Sequence, residues 1–427
     1  MDLRKQGRVD LEALEMAART AMHRAGASVI EHLLNACAQA EPEAACGCGR
    51  QARFHQMRPK QILTALGPIQ IERAYYVCRH CRRGQSPRDR ELDVEGTEYS
   101  PAVRRMMAIV GSESSFQQGR QQLADLAGLE VTTKAVERQA EVVGSDIADR
   151  EQANIERAIQ MELQQVKADQ IPVMYVEMDG TGIPVVKAET EGRQGKTEGQ
   201  PAHTREVKLG CVFTQTGTDQ EGRPVRDDAS TTYTGAIETA GQFGRRIYRE
   251  AWDRGCDRAK TKVVLGDGAL WIWNIADEHF PGAIQIVDLY HARQHLWELA
   301  AKVFAADEKQ RKVWASRQEK KLDAGKVETV VKNLKALSTP STALAELIDN
   351  EAAFFERNAE RMRYARFRAQ KLFVGSGVVE AGCKTVIGRR LKMSGMFWTV
   401  RGANSIIALR CNRISGKFAD YWESRAA

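Results

Sequence analysis

The chain has 427 residues, 43% of them apolar and 28% charged, with a formal net charge of +7. That length exceeds one ordinary domain and that apolar content supports a sizeable core, while the basic balance permits a nucleic-acid partner without requiring one. No apolar run approaches membrane-spanning length and MDLRKQGRVD does not begin a signal peptide, so a membrane role is excluded, a cytoplasmic location is expected, and the nine cysteines are expected as thiols or metal ligands rather than disulfides.

Residues 1–40 read as a helix with Leu11, Leu14, Ala18 and Met22 on one face, a packing or dimerisation surface, and with His23 and His32 as surface residues. The texture changes over 41–96. ACGCGR sets Cys46 and Cys48 one residue apart, and LTALGPIQIERAYYVC reads as a β hairpin turning at Gly67-Pro68 whose second arm runs into Cys78-Arg79-His80-Cys81. Zinc takes four soft ligands in a tetrahedron, and close-spaced pairs on tight turns present two thiolates each. Cys46, Cys48, Cys78 and Cys81 are therefore candidate ligands of a structural Zn²⁺ in a zinc-ribbon-like hairpin. His80 is an alternative ligand, and a set of unligated thiols is the plainer alternative. Arg79, Arg82 and Arg83 beside the second pair suit phosphate contacts.

Residues 97–170 read as helical. Ser114-Ser115-Phe116-Gln117 has capping-box spacing. Phe116, Leu123 and Leu126 are expected to face inward, Gly128 to stop the helix, and Thr132 or Thr133 to cap a second helix with Val136, Ala140 and Val143 on one face. Two helices around a glycine-bearing turn match a helix-turn-helix, whose second helix would present Lys134, Arg138 and Gln139 to DNA. An ordinary helical hairpin gives the same pattern.

Residues 171–427 read as α/β. IPVMYVEMDGTG is a dense apolar strand with Asp179 at its end and Glu177 on the same face by the two-residue period. A polar, glycine-rich loop from Lys187 to Thr204, a strand over Arg205–Thr214, the turn GTDQEGRPVRDD and a helix over Gly235–Trp252 follow. Val263–Leu265 is a short strand stopped by Gly266, with Asp267 just beyond. A helix carrying Leu270, Trp271, Ile272 and Ile275 then breaks at Pro281-Gly282. Ala283–Val287 is another strand, ended by Asp288, and a further helix opens near His291. Strand, helix, strand, helix is the rhythm of a parallel α/β sheet, in which chemistry sits beyond the carboxyl ends of the strands. A charged helical insertion over about 306–372 comes next, interrupted at Ser338-Thr339-Pro340. Phe354, Phe355, Tyr364 and Phe367 give it apolar patches. Its basic run from Arg357 to Arg368 reads as a solvated face or a DNA-facing one. In VGSGVVEAGCK, Ser376 is expected to cap a helix holding Glu380, Cys383, Lys384 and Ile387 on one face, with Gly375 and Gly377 permitting close backbone approach. Arg389, Arg390, Lys392 and Trp398 follow as candidate DNA contacts.

Asp179, Asp267 and Glu380 thus arrive as two strand ends and a helix. Hard divalent cations take carboxylate oxygens, and two ions about 3.5–4 Å apart serve both oxygens of an in-line phosphoryl displacement. DGTGIPV, REVKLG, GDGALWIW…FPGAIQIVDLYHARQHL and GSGVVEAGCK…RRLKMSGMFW resemble the DDE transposases of bacterial insertion sequences, of the ISKra-type group, and more distantly the Mutator-like transposases. The resemblance covers nearly the whole chain. It implies a multidomain α/β protein whose ribonuclease-H-like catalytic core, with an all-helical insertion, is preceded by the zinc-ribbon-like β hairpin and the helical DNA-binding region. It also implies cleavage of element ends and their joining to target DNA with two Mg²⁺ or Mn²⁺ ions. On it, the metal-binding acids are Asp179, Asp267 and Glu380, Asp288 and His291 form an auxiliary Asp-x-x-His, and Lys384 stands one turn beyond Glu380. The implied partner is double-stranded DNA, both element ends and target, bound by a homodimer or higher oligomer in the nucleoid. Two other readings compete. VEMDGT and LGDG come close to a haloacid-dehalogenase-type phosphatase, although Glu177 stands where that chemistry needs Asp, and near-attack geometry tolerates little error. The third reading is a DNA-binding regulator with an inactive catalytic domain.

Overall fold

Hydrogen bonding between two long strands dominates the N-terminal part of the chain. In the computed structural model, which describes residues 4–5, 8–36, 40–160, 169–195 and 200–425, Glu43–Ala45 (β1), Gln51–Thr64 (β2), Gly67–Val77 (β3) and Gly84–Gln85 (β4) form an antiparallel sheet in that order. β2 and β3 pair as far as Thr64↔Gly67. The connecting loop is therefore Ala65-Leu66, two residues ahead of the turn expected at Gly67-Pro68. Proline is tolerated near the start of a strand, which is where Pro68 sits. Ile62, Ile69 and Ile71 pack with Ala27, Ile30 and Leu34 of the helix Leu11–Ala36 (α1). The face expected to pack is a different one: Leu11, Leu14 and Met22 are exposed, because only the C-terminal half of α1 supplies residues to that core. A two-residue strand pair, Arg4–Lys5 with Arg8–Val9, precedes α1. Residues 1–3, 6–7 and 37–39 of the expected helix lie outside the described residues.

Pro101–Glu113 (α2), Phe116–Gln122 (α3) and Thr133–Ile159 (α4) follow. Ser115 Oγ accepts from Gln118 N at 3.2 Å, and Thr132 Oγ1 accepts from Ala135 N at 3.1 Å, so both helix starts are capped by their own hydroxyls. Val103, Met107, Leu123, Leu129 and Val136 share a core. Leu126 does not join it. Leu123–Ala127 forms a π turn, which adds a residue to the helical period and turns Leu126 to solvent at 75% exposure. Residues 161–168, read as the end of this helical region, lie outside the described residues.

The chain divides into two compact units, one running to Val142 and including Asp420 onward, the other Val143–Ala419. The second unit is built on a five-stranded mixed sheet. Ile171–Pro184 (β5), Thr204–Gln215 (β6), Thr232–Ala236 (β7), Ala259–Gly266 (β8) and Ile284–Val287 (β9) lie in the order β7-β6-β5-β8-β9. β7, β6 and β5 are antiparallel, whereas β8 runs parallel to both β5 and β9. Met174 to Met178 on β5 are all buried, as a central strand covered on both faces requires. The Tyr175 ring stacks on Phe213 with centroids 4.8 Å apart.

Helix Ala240–Asp253 (α5) starts later than the sequence reading placed it. Gly235 and Ala236 belong to β7, and the start is set by a capping box between Thr239 and Gln242. Leu270–His279 (α6) and Leu289–Val303 (α7) follow β8 and β9. Glu308–Asp323 (α8), Val327–Lys335 (α9) and Thr342–Arg357 (α10) form the helical insertion, with Phe355, Tyr364 and Phe367 buried. Within its basic run Arg363 bonds Glu328 and Glu360, whereas Arg361 bonds Gln285 of β9 and lies over the Trp273 ring of α6. Gly377–Gly382 (α11) and Val400–Ile414 (α12) follow, and Phe418–Glu423 (α13) comes last. No helix among the described residues is long and apolar enough to cross a membrane.

Candidate functional site

Two matched backbone knuckles bring four cysteines together. Cys46 N donates to Arg50 O at 2.8 Å and Gly49 N to Cys46 O at 2.9 Å. Cys78 N donates to Arg83 O at 3.0 Å and Arg82 N to Cys78 O at 2.8 Å. The Sγ atoms stand 3.5 Å apart for Cys46 and Cys81, 3.6 Å for Cys46 and Cys48, and 3.7 Å for Cys48 and Cys78. All four lie within 4.8 Å of one another. A tetrahedron with Zn–S bonds of about 2.3 Å has edges of about 3.8 Å, so the four thiols fit zinc and could hold it. The backbone N–H of Cys81, foremost, holds the Cys78 thiol down to about 6 against its burial, whereas Cys46 is pushed up to about 11 against the Cys48 N–H, chiefly by the neighbouring Cys81 thiol. His80 is exposed and outside the group, and Arg79, Arg82 and Arg83 are exposed beside it.

The acids lie in the second unit. β8 covers β5 only as far as the pair Leu265↔Glu177. Asp179 therefore sits where β5 outruns its parallel neighbour, and Asp267 follows the end of β8 at the matching step. Asp179 is not at a strand end, as the sequence implied: β5 continues to Pro184 against β6. Asp179 Oδ1 accepts from Gly180 N at 2.7 Å, and Asp267 Oδ1 from Ala269 N at 2.9 Å. Burial holds the Asp179 carboxyl above its usual range and the Asp267 charge adds to this, opposed by the Cys383 thiol, the Gly180 N–H and His291. Glu380 is exposed on α11, where its Oε1 accepts from Lys384 Nζ at 2.7 Å. The π turn Cys383–Gly388 splits the face expected here, so that Cys383 and Ile387 are buried while Glu380 and Lys384 are not. Among the described residues, only the cysteine group brings three or more ligand atoms within 4.8 Å. Asp179, Asp267 and Glu380 do not form such a group.

One buried carboxylate holds these segments together. Asp288 is 5% exposed. Its Oδ1 accepts from His291 N at 2.6 Å and caps α7, and its Oδ2 accepts from Ser376 Oγ at 2.7 Å and from Ser376 N. Its own N–H donates to Gly266 O at 2.7 Å. Ser376 therefore does not cap α11 with its side chain, as expected, because its hydroxyl is turned to Asp288. The start of α11 is instead met by Glu177, whose Oε2 accepts from Val379 N at 2.9 Å. Burial, with the Asp288 charge adding to it, pushes the Glu177 carboxyl up to about 8. Gly375 allows this closeness, since a Cβ there would stand 2.8 Å from the Tyr290 ring. At Gly377 the space is open. Sequence reasoning placed Glu177 on the Asp179 face and gave it no role beyond that of a misfit nucleophile. Its position two residues before Asp179 on one strand face was the available signal.

The candidate DNA contacts divide by exposure. Lys134 and Arg138 are exposed on α4, with Lys134 paired to Glu137 at 2.8 Å. Gln139, expected on the same face, is buried at 8% exposure. Arg389 and Lys392 are exposed, and Lys392 Nζ donates to Thr181 Oγ1 at 2.5 Å. Arg390 and Trp398 are not at a DNA-facing surface. Arg390 is fully buried with its guanidinium 4.9 Å from the Trp398 ring centroid, and Trp398 Nε1 donates to Leu391 O at 3.1 Å. The Trp398 main chain bonds Pro184 O and Val186 N at the end of β5, so both side chains pack this segment onto the sheet.

A family profile matches residues 4–425. The chain belongs to UPF0236, an uncharacterised protein family. Among solved structures, this UPF0236 chain is similar to a Drosophila P element transposase strand transfer complex, at 8% identity over 78% of this chain and 84% of that one, with a TM-score of 0.26. No curated protein matches it.

Two outcomes follow from this geometry. Purified protein should carry about one zinc per chain, and Cys78→Ser should lose the metal together with the hairpin's fold, as read by metal analysis and circular dichroism. A zinc-free wild type with an intact hairpin would refute the site. Asp288→Asn should destabilise the second unit by about 1–3 kcal/mol, because an amide N–H₂ must face the His291 or Ser376 donors. Thermal melts of the variant at wild-type values would remove the anchoring role.

Proposed function

We propose that this chain is a DNA transposase of the DDE type, of the ISKra-like insertion-sequence group, that cleaves element ends and joins them to target DNA. The observation that supports the reading is that Asp179 and Asp267 lie at the same step beyond the paired part of β5 and β8, where the Asp267 charge acts on Asp179, while the start of the Glu380 helix is bonded to Asp288 and Glu177. The strand order β7-β6-β5-β8-β9, three antiparallel strands and then two parallel ones, supports a ribonuclease-H-like core interrupted by the helical insertion.

Asp179, Asp267 and Glu380 would hold the two divalent ions by their oxygens. Mg²⁺ or Mn²⁺, when bound, activates the attacking oxygen and stabilises the leaving one. Lys384 keeps Glu380 oriented through its ion pair, worth little as stability at an exposed position but useful as a guide. His291 donates a hydrogen bond to a phosphate oxygen, which imidazole does in either charge state. Arg389 and Lys392 offer positive charge to the DNA backbone, and Lys134 and Arg138 on α4 offer it to the element ends. Joining two ends calls for an active site at each, hence a homodimer or higher assembly acting on DNA in the nucleoid. The phosphatase reading loses its nucleophile, because Glu177 is wholly buried and bonded to Val379 N. The inactive-regulator reading is decided by the cleavage assay below.

Asp267→Asn should abolish cleavage of a cognate end while leaving end binding nearly unchanged, since the metal ligand is lost and the fold kept. His291→Ala should slow single-turnover cleavage by about ten- to a hundredfold, the scale of one hydrogen bond to a charged group. Wild-type cleavage in excess chelator would sink the reading.

A further inference from the structure

His291 stands at one end of a hydrogen-bonded row whose other end lies in the helical insertion. His295 follows it by four residues on α7, so the two rings share a helix face. Their Nε2 atoms are 3.2 Å apart and the rings meet edge to face, with centroids at 4.8 Å and 77° between planes. The other nitrogen of His295, Nδ1, lies 2.7 Å from Oε2 of Glu351 on α10. The His295 ring is also clamped, stacking on Phe354 with centroids 4.3 Å apart and planes within 8°. Phe354 in turn packs on the turn that carries Asp267. A Cβ on Gly268, whose φ is +101°, would stand 2.6 Å from the Phe354 ring, so only glycine fits there.

We propose that Glu351 and His295 are positioning residues that fix the orientation and proton placement of His291, making the insertion a working part of the active site. The proton assignment follows from the donors. An ionised carboxylate only accepts, so His295 Nδ1 carries a hydrogen. The two facing Nε2 atoms then share one proton between them. Nδ1 is then the His291 ring nitrogen that stands outside the row. Carboxylate–histidine rows of this kind set tautomer and ring orientation in metal and triad sites. His291 lies within the electrostatic reach of Asp179, so its ring orientation bears directly on the acid pair. No signal in the sequence joined Glu351 to this row, since it stands 56 residues from His295.

The catalytic consequence rests on the transposase reading, whereas the row itself does not, and the test separates them. Ring ¹⁵N spectra of the full-length protein, recorded without DNA, should show His295 protonated at Nδ1. The His291 ring signals should shift in folded Glu351→Ala but much less in Glu351→Gln, which keeps an acceptor. In single-turnover cleavage, Glu351→Ala and His295→Ala should each be slower by about tenfold. Glu351→Gln should recover part of the loss. Combining Glu351→Ala with His291→Ala should be no slower than His291→Ala alone, because groups acting through one residue are not additive. Unmoved His291 signals in folded Glu351→Ala would overturn the proposal, as would rate losses that multiply in the double variant. A wild type that cleaves no DNA would refute the transposase reading alone, with the ring spectra still deciding the row.

Discussion

A buried carboxylate is costly to desolvate unless it is met by donors, and Asp288 is met by three: His291 N, Ser376 N and Ser376 Oγ. Its backbone N–H adds a bond to Gly266 at the end of β8. One residue therefore ties the strand end that carries Asp267, the helix that carries His291 and the approach to the helix that carries Glu380. Leu289 N adds a bond to Val374 O at 2.9 Å on the same seam.

Ser376 lies 88 residues beyond Asp288. Closing so long a segment is less costly than its length implies, because loop entropy grows only with the logarithm of length. The intervening helices also bury Leu322, Leu334, Phe355, Tyr364 and Phe367, so the ends of the insertion are delivered by folded structure rather than by a flexible loop. Glu177 completes the closure from the sheet side. A carboxyl at a helix N-terminus is favoured by the unpaired N–H groups there. Buried beside Asp288, it is also held well above the usual carboxylate range. Its place as the second acid on the Asp179 face of β5 follows from the strand period, yet its partner, Val379, lies 202 residues away.

Much of this was legible in the residues. The strand–helix alternation from Val263 to Leu296, the hairpin, the Thr132 cap and the convergence of the cysteine pairs are local, and local chemistry decides them, whereas the cap expected from the Ser114 to Gln117 spacing falls one residue later, at Ser115. Misplaced features have identifiable causes. Leu126 and Ile387 sit in or beside π turns, and one extra residue in the helical period moves every later side chain around the axis. Asp179 was read as a strand end because glycines follow it, whereas the ladder to β6 carries β5 on to Pro184. Arg390 and Trp398 were read as DNA-facing from charge and aromaticity, which do not report burial. Partners that come from distant segments, such as Glu351 for His295, leave no trace at short range.

The insertion shows why charge alone misleads. Its basic run invites a DNA-binding reading, yet Arg363 is bound by Glu328 and Glu360, and Arg361 is turned onto Trp273 and Gln285. A guanidinium already engaged by two carboxylates gains little from a phosphate, because those contacts must first be broken. Glu351 and Phe354 of α10, neither of them basic, instead meet the His295 ring. Phe354 touches both the His295 ring and the Asp267 turn, so a shift of α10 would be felt by the histidine row and the strand-end acid together. Close-packed contacts transmit displacement rather than absorb it. What joins α10 to the histidine row and to the Asp267 turn is therefore a carboxylate and an aromatic ring rather than the basic run.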